Sequence, residues 1–196
     1  DGYRFDLMGI IDIETINQVY QICHSYDKSF MVYGEGWNMP TSLPDDQKAM
    51  QFNHYKMPNI SFFNDEFREV IKGGSSDGVL VNKGFITGNL YETERARNCI
   101  MACNRYTSPD QSINYVECHD NATIFDKLYI SNVEEGLNGI LERQKNLTIV
   151  TLLSQGIPFI HAGQEFYRTK GGIGNSYNSP DNINSINWDL RDIYKD

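Results

Sequence analysis

Short apolar runs alternate along the chain with apolar positions at helical spacing, and together they set out five strand-then-helix steps. DGYRFDLMG opens as a strand. DIETINQVYQICHSY then puts Ile13, Ile16, Val19, Tyr20 and Cys23 at helical spacing. SFMVYGEGW predicts a second strand, followed by a polar loop over about residues 36–54. NISFFND predicts a third strand running into the helix DEFREVIKGG, and YETERARNCIMACN a further helix. SINYVECHDN predicts the fourth strand, VEEGLNGILERQKNLTIVTLLSQG a long helix closed by Gly156, and GIPFIHAGQE the fifth strand. This alternation predicts an α/β protein with a parallel sheet and helices outside it, either an open doubly wound sheet or part of an eight-stranded barrel. No GxGxxG or P-loop fingerprint supports a nucleotide-binding open sheet.

Composition narrows the partners. With 196 residues, 40% of them hydrophobic, the chain can bury a sizeable core as one domain. The net charge of −9 and the lack of any Lys/Arg run disfavour nucleic acid and anionic membrane surfaces. The longest apolar stretch, LTIVTLLSQGIPFI, is interrupted by Thr, Ser, Gln, Gly and Pro, which is not the pattern of a spanning helix. Cys23, Cys99, Cys103 and Cys118 form no disulfide framework, and Cys99 and Cys103 fall one turn apart on a predicted helix. Reduced thiols and a cytosolic location follow from that usage, with secretion left open.

Candidate chemistry concentrates in NYVECHDN, residues 114–121. Cys118, His119 and Asp120 can each ligate zinc, but metal ligands come two to four residues apart, and consecutive strand residues face opposite ways. The same geometry denies Cys118 and His119 a nucleophile–base pairing. Neither a metal nor another cofactor is expected. With Val116 to Asp120 as a strand and its end, Val116, Cys118 and Asp120 share one face and Glu117 and His119 the other.

Each predicted strand ends in polar groups: Arg4 and Asp6, Glu35 and Trp37, Asn64 and Asp65, His119 and Asp120, His161 and Gln164. In a parallel barrel those ends share one rim, where barrel enzymes place their chemistry. Asp6 and Asp65 could equally be helix caps. Glu35 is flanked by Gly34 and Gly36, which would let the backbone turn sharply around a carboxylate. His161 and Glu165 read as a core residue and a cap, and Cys118 as a small core residue.

DGYRFD, YGEGW and YVECHDN, in this order and spacing, resemble three signature regions of glycoside hydrolase family 13, the α-amylase family. HAGQEFYRTK and NSYNSPDNINSINW are further similar to the type I pullulanases within it. The chain departs from that pattern at GGIG before NSYN, where a charged residue is usual, and at Ala122. The resemblance implies a retaining glycoside hydrolase that cleaves α-1,6 branch linkages in pullulan, amylopectin or glycogen-type α-glucans. It carries over Asp6 as nucleophile, Glu35 as acid/base and Asp120 as the third carboxylate. His119 is similar to the family's binder of sugar hydroxyls, and Arg4, Trp37, Asn121, Tyr177 and Asn178 stand beside it as substrate-binding candidates, with an α-glucan as the partner.

The chemistry agrees with such roles. Retention needs two carboxyl groups about 5–5.5 Å apart, and neighbouring strands lie about 4.8 Å apart. Arg4, two residues before Asp6, shares its face and can keep it ionised. Trp37 offers an aromatic face for a sugar ring, or alternatively a buried core ring. Tyr177 and Asn178 lie in a Gly/Asn-rich loop that could be substrate rim or surface turn. An α-1,4-acting amylase or other debranching enzyme of the same family is the nearest alternative, and a glycan-binding barrel without catalysis the more distant one. The resemblance further implies a partial (β/α)8 TIM barrel, its five units being strands four to eight. Residues 1–196 would then be the C-terminal part of a catalytic domain whose first strands and accessory domains lie elsewhere. Alone, such a segment is expected to expose unpaired edges, aggregate and lack activity.

Overall fold

Residues 2–102 and 105–194 are described in this structure, a computed structural model. The chain divides into two compact units. The first comprises Asp1–Asn64, Ala102–Ile113 and Gln155–Ile157. The second comprises Asp65–Met101, Asn114–Ser154 and Pro158–Asp196.

The first unit carries the sheet, apart from the last residues of its fourth and fifth strands. The strands are β1 (Gly2–Phe5), β2 (Met31–Gly34), β3 (Ser61–Phe63), β4 (Ser112–Asn114) and β5 (Ile157–Pro158), in the order β1-β2-β3-β4-β5. β1–β2, β2–β3 and β3–β4 pair in parallel, with Phe5 opposite Gly34 and Gly34 opposite Phe62. Helix α1 (Ile13–Tyr26) starts at Asp12, whose carboxylate accepts from the Thr15 backbone N–H at 2.8 Å and its hydroxyl at 2.7 Å. The apolar positions of α1 then do what their spacing demands. Ile16 is buried with Met8, Val32, Met57, Ile60 and Phe62, and Ile13, Val19 and Tyr20 pack against that core.

The second unit contains α2 (Asp65–Lys72), α3 (Thr93–Ile100), α4 (Ile124–Ser131), α5 (Gly136–Leu153) and two short helices, α6 (Asp181–Asn184) and α7 (Asp189–Ile193). α2 packs on α3 and α4 on α5. α5 buries Ile140, Gln144, Leu147 and Thr151, a stripe at helical spacing, and Thr151 returns its hydroxyl to the Leu147 carbonyl at 2.8 Å. α4, absent from the sequence reading, starts at Thr123, which caps the Asp126 N–H.

The polar connection after β2 is the loop expected, with short 3-10 turns at Asp45–Gln47 and Gln51–Lys56. Two other elements depart from expectation. The predicted helix YETERARNCIMACN is helical over Thr93–Ile100, and Cys103 lies outside the described residues. The predicted strand through Val116 and Asp120 stops at Asn114. A ladder needs an extended neighbour, and β5 is two residues long and ends in Pro158, which has no N–H to give. The last rung is the Phe159 N–H on the Asn114 carbonyl at 2.8 Å.

Candidate active site

Asp6 and Glu35 are the first residues beyond β1 and β2. Because Phe5 and Gly34 stand opposite each other in the ladder, the next residue of each strand emerges beside the other. The Glu35 N–H closes on the Phe5 carbonyl at 3.1 Å, and the Gly9 N–H on the Glu35 carbonyl at 3.0 Å. Arg4 bridges the two carboxylates. One guanidinium nitrogen donates to Asp6 Oδ1 at 3.0 Å and another to Glu35 Oε1 at 2.6 Å, while the group lies 5.6 Å from the centre of the Phe63 ring. The other Glu35 oxygen accepts from the Leu7 N–H at 2.8 Å. Leu7 reaches it with φ 46°, a left-handed conformation uncommon for a side chain of its size. The two carboxylates differ sharply in exposure, the Asp6 side chain being 67% exposed and that of Glu35 5%.

The glycines around Glu35 serve a purpose other than the sharp turn expected of them. Neither has positive φ. A Cβ on Gly34 would stand 2.5 Å from the Phe5 carbonyl, and one on Gly36 2.5 Å from the Phe62 ring and 2.7 Å from the Gln51 nitrogen. They are small because the strands and core close on both sides of Glu35.

In the second unit, the YVECHDN segment is an irregular turn. Consecutive strand residues would point His119 and Asp120 to opposite faces; here His119 Nε2 lies 3.6 Å from Asp120 Oδ1, both side chains exposed. Asn121 follows with φ 63°, in the left-handed region. With no ladder to hold it, the turn is fastened by side chains. Buried Glu117 accepts from the Ile124 N–H at 2.6 Å through one oxygen and faces His161 Nδ1 at 2.8 Å with the other. Arg168 lies 3.3 Å from His161 Nε2 and donates to the Asn184 carbonyl at 2.6 Å. Lys170 donates to the His119 carbonyl. Burial, followed by the Arg168 charge, holds the Lys170 ammonium below the ordinary lysine range, against the pull of Glu117, Cys118 and Asp120. Tyr115, buried, donates to Asp65 Oδ1 at 2.5 Å and accepts from Arg68 at 2.7 Å. Burial, opposed by Arg68, drives its phenol far above the usual tyrosine range.

The structure thus gathers Arg4, Asp6 and Glu35 in one unit, with Trp37 half-buried two residues on, and His119, Asp120 and Asn121 in the other. Tyr177 and Asn178 are exposed on the loop after Ser176. His161, taken from sequence as a lone core residue, is instead the middle of the Glu117–His161–Arg168 chain. Glu165 is the local cap expected, accepting from the Gly163 N–H at 3.0 Å. Cys118 is half-buried rather than core, and burial raises its thiol. Sequence reasoning gave no role to Leu7, Glu117, Arg168 or Lys170, although Glu117 lies in YVECHDN and Arg168 and Lys170 in HAGQEFYRTK. Among the described residues no group of three or more His, Cys, Asp or Glu side chains is arranged to hold a metal, and no helix is long and apolar enough to cross a membrane.

No family model matches the chain. Pullulanase of Bacillus subtilis (strain 168) is 41% identical over 100% of this chain and 28% of its own length. The chloroplastic pullulanase 1 of Arabidopsis thaliana is 31% identical over 96% of the chain and 25% of its length. The crystal structure of pullulanase from Anoxybacillus sp. LM18-11 complexed with maltotetraose superimposes with TM-score 0.96 and 44% identity, covering 100% of this chain and 28% of that one. The chain therefore spans about a quarter of the length of each of these three proteins. Along its full length, in both sequence and backbone, the chain is similar to a segment of the bacterial pullulanases.

Proposed function

We propose that this chain carries the catalytic carboxylates of a retaining glycoside hydrolase that cleaves α-1,6-glucosidic branch linkages in α-glucans. The observation that supports it most is the Arg4 bridge between Asp6 and Glu35 at the ends of adjacent parallel strands. Two carboxyl groups within the span of one guanidinium suit the close spacing of a retaining pair. In this reading the five strands are strands four to eight of a (β/α)8 barrel, and residues 1–196 are the C-terminal part of its catalytic domain. The maltotetraose and maltotriose in the Anoxybacillus pullulanase structures support an α-glucan as substrate.

Asp6, open to solvent and paired with Arg4, is the nucleophile. Its carboxylate oxygen bonds to the anomeric carbon as the glycosidic bond breaks, and Glu35 gives its proton to the departing oxygen. Water, losing a proton to Glu35, then releases the sugar with its configuration kept. Both Glu35 oxygens are engaged by donors, Arg4 and the Leu7 N–H. A proton on either oxygen displaces one of them. Giving up Arg4 while keeping Leu7 frees Oε1 for the glycosidic oxygen and leaves Arg4 on Asp6. Asp120 and His119 hold ring hydroxyls of the distorted sugar, with Asn121, Trp37, Tyr177 and Asn178 completing the substrate contacts.

The test is product analysis by the protein that carries this chain. Pullulan should be cut to maltotriose, linear amylose should be left essentially intact, and the first-formed anomer should be α. Preferential cutting of amylose would assign α-1,4 specificity instead. Oligosaccharide binding without any turnover would favour a glycan-binding protein.

A further inference from the structure

We infer that Lys170 is a positioning residue that locks the His119–Asp120 turn to the Gly174–Ser176 loop and so sets the sugar-binding geometry of the active site, an inference that rests on the function proposed above.

Lys170 is buried, 2% exposed, and its ammonium carries three donors with three acceptors in reach. They are the His119 carbonyl at 3.2 Å, the Gly174 carbonyl at 3.2 Å and the Ser176 hydroxyl at 3.1 Å. None is a carboxylate. Burying a cation against neutral dipoles is costly compared with an apolar side chain of similar length, so simple space-filling does not account for a lysine here. What the ammonium does is join two backbone segments that no ladder supports. The Lys170 backbone is pinned in turn, its N–H donating to Asp126 Oδ2 at 2.8 Å, and Asp126 also accepts from Thr169. Asp126 lies in the first turn of α4, so the tether is anchored to a helix.

Fixing the His119 carbonyl fixes the whole planar peptide unit between His119 and Asp120. That plane determines where both side chains leave the backbone. The same ammonium holds the loop immediately before Tyr177 and Asn178. One buried charge therefore aligns the proposed transition-state carboxylate with the proposed substrate loop.

The experiment uses Lys170→Met, which keeps length and loses all donors, and Ser176→Ala, which removes one of the two loop acceptors. Both are measured in the protein that carries this chain, on pullulan, with thermal unfolding in parallel. Lys170→Met should lower kcat about 100-fold, the scale of an ångström misplacement of a reacting group. Ser176→Ala should raise KM about fivefold with kcat nearly unchanged, as expected for one lost hydrogen bond on a substrate loop. A Lys170→Met protein that folds and retains its kcat overturns the inference. If that variant fails to fold, Ser176→Ala decides: an unchanged KM overturns it, and a raised KM at unchanged melting temperature supports it. Asp6→Asn separates the two readings. Loss of turnover in that variant beside an unaffected Lys170→Met sinks only the positioning role, whereas turnover surviving in Asp6→Asn sinks the function itself.

Discussion

Arg4 donates to Glu35 at 2.6 Å from the neighbouring strand while another of its nitrogens stays on Asp6. One residue thereby sets the distance between the two carboxylates. Arg4→Lys replaces a planar fork by a point charge that can face only one of them well. Turnover of pullulan should fall about 100-fold or more, with the melting temperature changed less, since the lysine keeps a positive charge beside buried Glu35. Activity within a few-fold of the unsubstituted protein would remove Arg4 from the site.

Asp6→Asn should abolish turnover and keep oligosaccharide binding, because the covalent intermediate needs the carboxylate and the fold does not need this exposed side chain. Calorimetry with maltotetraose beside a reducing-sugar assay reads both. Residual hydrolysis within tenfold of the parent rate would move the nucleophile elsewhere.

Glu35→Gln should slow pullulan hydrolysis severely but spare glycosylation by a glycosyl fluoride, whose leaving group needs no proton. Gln keeps an acceptor for the Leu7 N–H, so the backbone turn should survive. Equal losses on the two substrates would show that the acid is another residue.

Lys72 and Lys127, both buried, are held at about 8 against an ordinary 10.5, Lys72 by burial and then Arg68, Lys127 by burial and then Lys72. Below about pH 8 both states of the protein carry these charges, and the cost of burying them is fully present. Between about 8 and 10.5 the unfolded chain binds more protons than the folded one, so this contribution to stability rises with pH. Guanidinium unfolding of the protein carrying this chain, compared with Lys72→Met, should show a shallower rise over that window in the variant. Identical slopes would contradict it.

Asn121, at φ 63°, separates backbone from function. Asn121→Val places a β-branched residue in left-handed space and should cost roughly 1–2 kcal/mol of stability. Asn121→Gly should keep stability and still weaken the enzyme, if the amide binds sugar as proposed. A Gly variant with full activity would leave Asn121 as a turn residue only.

The α1 stripe was legible because helical spacing and burial are one signal, and Ile16 sits at its centre. The Arg4–Asp6 contact was legible for a similar reason, since residues two apart share a strand face. Gly34 and Gly36 were noticed for the wrong reason: sequence reveals that a Cβ is missing, not which neighbouring atom excludes it. The turn at 115–121 was misread as strand because where a ladder stops is decided by the partner, here the short β5 with Pro158. Its fastenings join residues far apart in the chain, 51 positions for Lys170 and His119 and 44 for Glu117 and His161, beyond the reach of any local pattern.

The ladder under Asp6 and Glu35 is made of backbone, with four register pairs between β1 and β2, whereas the turn bearing Asp120 hangs on side chains. Genetic drift acts on side chains and leaves the peptide group untouched. The Asp6–Glu35 pair can therefore tolerate many substitutions beneath it, so long as Gly34 and Gly36 stay small. The Asp120 turn instead depends on Glu117 and Lys170 keeping their identities, and on a residue at 121 that accepts left-handed space. A duplicated copy of this protein free of selection would lose its alignment at the Asp120 turn first, with Asp6 and Glu35 still side by side.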